Sequence, residues 1–180
     1  MSHVYVLVEH EADQLNSVTA ELITAARPLG AVSAVVVGGH ADALAEELGQ
    51  LGAAQVVDAQ ATDYESRLIL PEVDALSALG QANPAPIVVA ATPTGNEIAG
   101  RVAARLASGA LSDVSEIKAD GSAVHSIFGG AYEPTATAVG QGPVYSVRPG
   151  ARSRRGPAPP RSRWARTHHR KWSGRRCRPP

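Results

Sequence analysis

Val4-Tyr5-Val6-Leu7-Val8-Glu9-His10 begins with five consecutive apolar residues and ends on two polar ones. A run of that length without polar alternation suits a strand buried on both faces, the situation of a parallel sheet covered by helices, and not a strand with one wet side. The same grammar recurs at Val32 to Val37, closed by Gly38-Gly39, at the short run Ala54 to Val57, and at Ile87-Val88-Val89-Ala90. Helical spacing fills the intervals. Asp13 is placed to cap a helix whose apolar positions Leu15, Val18, Leu22 and Ala26 share one face and which Pro28 and Gly30 end. Asp42 is placed to cap a second helix with Leu44, Leu48 and Leu51 on one side. A third fits Tyr64 to Leu79, provided Pro71 falls in its first turn. A fourth fits Asn96 to Ala107, with Ile98, Val102 and Leu106 inward. Strand–helix alternation at this spacing predicts an α/β fold, a Rossmann-like parallel sheet with helices on both faces.

From Ala110 the pattern shortens. Asp120-Gly121, Gly129-Gly130 and Gly140-Gln141-Gly142-Pro143 are turn signals between β-prone runs at Val114 to Lys118, Ala123 to Phe128, Thr135 to Val139 and Val144 to Val147. This reads as a small antiparallel layer added at one edge of the sheet.

After Gly150 the composition changes altogether. Residues 151–180 contain no Val, Ile, Leu, Met, Phe, Tyr, Asp or Glu, but hold eleven of the seventeen basic side chains. Residues 1–150 carry all seventeen acidic and the other six basic ones. The formal net charge of zero is therefore −11 in the body against +11 in the tail. Without aliphatic side chains the tail cannot build a core, so the expectation is one folded domain over 1–150 and a disordered Arg/Pro-rich tail over 151–180. The only cysteine, Cys177, excludes an intrachain disulfide. No run reaches the roughly 18–20 apolar residues of a membrane helix. Met1-Ser2-His3-Val4 has neither the basic region nor the apolar stretch of a secretory signal, so a cytoplasmic protein is expected.

Open α/β sheets bind ligands beyond the carboxyl ends of their strands. Those ends are Glu9-His10, Gly38-Gly39-His40 and Thr92-Pro93-Thr94-Gly95-Asn96. The last is the candidate cofactor seat, through Thr94, Gly95 and Asn96, because free N–H groups at a helix start attract anions. A structural reading stands beside it: Thr94-Gly95-Asn96-Glu97 matches a capping box, and Glu97 stands four residues before Arg101. Neither G-x-G-x-x-G nor G-x-x-x-x-G-K-[ST] occurs, and Glu9, Glu11 and Asp13 after the first strand would repel a pyrophosphate. His10 and His40 can approach at the sheet's rim, but two histidines do not make a metal site. Asp113 and Glu116 read as solvated edge charges. No metal site is expected, and no nucleophile elbow or other catalytic residue is found. In the tail, Trp164 and Trp172 among arginines would suit nucleic acid; the spacing of His168, His169 and Cys177 fits no standard metal site.

The body resembles the N-terminal domain of the electron transfer flavoprotein alpha subunit. The resemblance is carried, in order, by Val4-Tyr5-Val6-Leu7-Val8-Glu9, by Thr94-Gly95-Asn96-Glu97-Ile98-Ala99-Gly100-Arg101-Val102-Ala103-Ala104-Arg105-Leu106, by Leu111-Ser112-Asp113-Val114, by Gly129-Gly130-Ala131-Tyr132 and by Val147-Arg148-Pro149-Gly150. Where the family often has Gly-Arg-Asp, this chain has Gly95-Asn96-Glu97. The resemblance implies an adenine nucleotide alpha hydrolase-like domain acting as scaffold in a heterodimer with a beta subunit. It implies FAD held mainly by the alpha subunit's C-terminal domain. It also implies an electron carrier, not an enzyme, between flavin dehydrogenases, such as the acyl-CoA dehydrogenases of fatty acid β-oxidation, and a membrane quinone oxidoreductase. The tail stands where the flavin domain would follow and reads like a GC-rich gene translated out of frame. A truncated subunit, unable to hold FAD alone, is therefore expected. The alternatives are a stand-alone adenine-nucleotide-binding α/β module seated on Thr92 to Asn96, and nucleic-acid binding through the tail.

Overall fold

The computed structural model describes residues 3–61, 64, 66–151 and, by backbone alone, 172–173. The expected disorder of the tail, and its candidate residues Trp164, His168, His169 and Cys177, lie outside the described residues. The strands are β1 (His3–Leu7), β2 (His10–Glu11), β3 (Gln14–Leu15), β4 (Ala31–Val37), β5 (Gln55–Gln60), β6 (Ile87–Ala90), β7 (Ala110–Ile117), β8 (Ala123–His125), β9 (Thr135–Ala136), β10 (Val144–Val147) and β11 (Trp172–Ser173). The helices are α1 (Val18–Ala26), α2 (Ala41–Gln50), α3 (Leu70–Ala82) and α4 (Pro93–Arg105). One sheet runs β11-β5-β4-β1-β6-β10-β7-β8-β9, parallel from β11 to β7 and antiparallel at β8 and β9; β2 and β3 form a separate two-stranded hairpin.

The unbroken apolar runs do what their composition requires. On one face of the sheet Val4 and Val6 share a core with Leu22 and Ile23 of α1 and Leu44 and Leu48 of α2, while on the other Tyr5 and Leu7 share one with Val73 and Leu76 of α3 and Ile98 and Val102 of α4. Each strand residue thus has a helix to cover it, and the sheet carries one apolar core on each face.

Four local expectations need correction. Val144 to Val147 is not part of the antiparallel layer. It is fully buried and pairs in parallel with both β6 and β7, so only β7–β9 supply the antiparallel edge. The third helix starts at Leu70, not Tyr64, with Pro71 in its first turn, where the missing N–H costs nothing. Asp13 does not cap α1; the Asn16 Oδ1 accepts from the Val18 N–H, and Asp13 reaches His40. Asp42 lies inside the first turn of α2, whose N-cap is His40.

Candidate functional site

The strand order reverses between β1 and β6, since the chain winds outward from β1 to β5 and then returns to the other side of β1. Such a reversal leaves a crevice at the carboxyl ends of the strands. Here it is a cleft of about 350 Å³, floored by the ends of β1 and β4 at Leu7, Val8 and Val37. The chain builds its walls from three places: Glu9, His10 and Glu11 after β1, Tyr64 and Glu72 before and within α3, and Thr92, Thr94 and Gly95 at the start of α4.

Each wall is held firmly. The buried Thr19 hydroxyl donates to the Glu9 carbonyl at 3.0 Å and accepts from the Glu9 N–H at 3.1 Å, fixing the residue that leaves β1. His10 sits between two carbonyl oxygens, Nδ1 at 3.0 Å from Ala12 and Nε2 at 3.0 Å from Val37. Its ring lies 5.4 Å from that of His40, so the two histidines do meet at the rim. His40 Nδ1 pairs in turn with the Asp13 carboxylate at 2.8 Å. Among the described residues no group of three or more His, Cys, Asp or Glu side chains is arranged to hold a metal ion. The Tyr64 ring covers Gly38, whose φ of +105° admits glycine readily; a Cβ there would lie 2.9 Å from the ring.

The start of α4 is built for packing. Thr92, not Thr94, is the N-cap: its side chain accepts from the Gly95 N–H at 3.0 Å, and its carbonyl accepts from Asn96 N–H at 2.9 Å. The capping-box reading of Thr94 therefore fails, because Pro93 takes the first helical position and shifts the cap two residues back. Glu97 instead accepts from Arg101 Nη2 at 2.6 Å and Nε at 3.0 Å, as its spacing predicts. Thr94 and Gly95 line the cleft. Asn96 turns away from it: its Oδ1 accepts from the Ser146 Oγ at 2.6 Å, and that oxygen accepts from the Asp113 N–H at 2.9 Å.

Burial is the main electrostatic influence on the cleft. It pushes the carboxyls of Glu9 and Glu72 above their ordinary range; the Glu72 rise is partly offset by its own backbone N–H and by His10. The Tyr64 phenol is raised by burial and by the neighbouring Glu72. Both carboxyls hold a higher pKa folded than unfolded. Their ionisation thus removes stability as the pH rises from the unfolded value toward the folded one. Sequence reasoning missed Glu72 and Tyr64, which reach the cleft from over fifty residues beyond β1.

Asp113 is exposed, as expected, but it is paired. Its carboxylate takes both Nε, at 2.8 Å, and Nη2 of Arg148, and Nη2 also donates to the Ser126 carbonyl at 3.0 Å. Hydrogen bonding from Arg148 holds the Asp113 carboxyl below its ordinary range. That stability is present above the unfolded pKa, near 4, and disappears as the pH falls through the folded value. About half of the side chain is exposed, so Asp113→Asn should cost no more than about 1 kcal/mol at neutral pH. In strong acid the two proteins should unfold at the same urea concentration.

The electron transfer flavoprotein domain family matches residues 4–168. The chain is 49% identical over 154 residues to the electron transfer flavoprotein subunit alpha of Mycobacterium tuberculosis (strain ATCC 25618 / H37Rv), covering 84% of this chain and 48% of that protein. Identity to the Mycobacterium leprae subunit alpha is 46% over the same length and shares. Against the Bacillus subtilis subunit alpha it is 30% over 126 residues, 66% of this chain and 38% of that one. The chain spans about half the length of the curated relatives it matches. With a doubly covered parallel sheet and a family match over most of its length, the chain belongs to the electron transfer flavoprotein domain family.

Proposed function

We propose that residues 1–150 are the scaffold half of an electron transfer flavoprotein alpha subunit, a cytoplasmic platform that pairs with a beta subunit and does not itself grip the cofactor. FAD supplies the electron-carrying ring in the intact protein. This reading assigns FAD to the half of the relatives' length that this chain does not match. Acyl-CoA dehydrogenases as electron donors and a quinone oxidoreductase as acceptor belong to that whole assembly.

One observation carries the reading. The crevice at the strand reversal, where a dinucleotide's phosphates would lie in a fold of this class, is lined by Glu9, Glu11 and Glu72. At the start of α4, which lines it, Pro93 has no N–H to offer and the Thr92 side chain already takes the Gly95 N–H. The residues present do not fit a flavin pyrophosphate, and no electron-transfer step is assigned to their side chains. No described helix is long and apolar enough to cross a membrane. Co-expression of the full chain with a beta subunit tests the reading. The expected result is a one-to-one complex on size-exclusion chromatography; separate elution of the two chains would remove it.

A further inference from the structure

We propose that the cleft beyond β1 binds a small organic cation, an alkylguanidinium or alkylammonium group, with Glu72 as its counter-ion. The inference does not depend on the family reading. The positive charges of the body are used elsewhere. Arg27 donates to the Leu51 carbonyl, Arg67 and Arg105 pair with Asp74, and Arg101 pairs with Glu97. Arg148 pairs with Asp113, and Lys118 reaches the Thr135 hydroxyl. These six are all the lysines and arginines of residues 1–150, and none of these contacts is with Glu9 or Glu72. His10 lies close enough for its charge to act on the Glu72 carboxyl, but both of its ring nitrogens are on backbone carbonyls and neither bonds Glu72.

Glu72 therefore lines a cleft of about 350 Å³ without a hydrogen-bonded cation among the described residues. Its Oε2 is closed off from solvent and has no hydrogen-bond partner. A carboxylate oxygen removed from water without a donor is unfavourable until a donor or a cation meets it. The rest of the wall suits such a ligand. Leu7, Val37 and Ile98 offer apolar surface to an alkyl chain, the Tyr64 ring offers a face to a planar cation, and the Thr94 hydroxyl offers an acceptor. A guanidinium presents donors in a fixed fork that a carboxylate matches. The same wall opposes phosphates.

Calorimetry on the full chain, with agmatine, inorganic phosphate and AMP as probes, tests the proposal. Agmatine should give saturable heat and raise Tm, while phosphate and AMP should do neither. Glu72→Gln should weaken agmatine binding about tenfold or more, because it removes one partner of a partly desolvated charge pair. Glu97→Gln, which touches only the exposed pair with Arg101, should leave it unchanged. Glu72→Gln should melt, without agmatine, at or above the parent's Tm, so that weakened binding is not lost folding; Glu9→Gln gives a second reading of the same wall. Absence of saturable agmatine binding, undiminished binding by Glu72→Gln, or saturable binding of AMP would each overturn the proposal.

Discussion

Gly95→Ala should destabilise the protein by roughly 3 kcal/mol or more, at the upper end of what overpacking costs. An ideal Cβ at Gly95 would lie 2.0 Å from the Ala90 carbonyl oxygen, 3.1 Å from its carbon and 3.2 Å from Thr92 Oγ1. These are the last residue of β6 and the cap of α4, so no flexible side chain can give way. The helix would have to lift from the strand end that it covers with Ile98, Ala99 and Val102. Gly100 lies in the same helix, yet an added Cβ there meets nothing within 4 Å. Gly100→Ala should therefore stabilise by about 0.5–1 kcal/mol, through a less flexible unfolded chain and better helix propensity. Urea unfolding of the pair checks this. Equal behaviour of the two variants would show that α4 does not sit where the structure puts it.

Tyr145→Ala is expected to cost about 3–5 kcal/mol, the range for emptying a buried aromatic site. Tyr145 is 1% exposed and among the largest fully buried side chains. It lies on β10, the strand that joins the central sheet to the antiparallel edge, and its phenol donates to the Gly121 carbonyl at 2.7 Å. Burial, with a smaller contribution from Asp120, pushes that phenol above its ordinary range. Tyr145→Phe keeps the ring and removes the donor, leaving the Gly121 carbonyl without that bond, and should cost about 1–2 kcal/mol. The difference between the two variants separates packing from the hydrogen bond. If Tyr145→Phe cost as much as Tyr145→Ala, the ring would not be the main contributor.

The strands that decide the fold were legible because nothing competes with their reading. Val4 to Val8, Val32 to Val37 and Ile87 to Ala90 are too apolar to have a wet face, and each is buried on both sides. What sequence reasoning misplaced turns on proline and on distance. Thr94-Gly95-Asn96-Glu97 satisfies the capping-box pattern, but Pro93 favours the first helical position, and that choice makes Thr92 the cap. Pro71 carried the same signal for α3. Val144-Tyr145-Ser146-Val147 follows three turn signals and so reads as another edge hairpin. Its place between β6 and β7 depends on pairing with strands 34 and 57 residues earlier at Val144, which no local pattern encodes. The cleft was half legible. Glu9, His10, Thr94 and Gly95 stand at strand ends, where ligands bind in such folds. Tyr64 and Glu72 fit a single helix by pattern alone, whereas Tyr64 precedes it and Glu72 opens it.

The most direct test of the central claim, that this platform does not itself hold the flavin, is the visible absorbance of the full chain purified after expression with excess riboflavin. The account predicts a colourless protein that gains no more than trace flavin when FAD is added and the excess removed. One tightly held FAD per chain would contradict it.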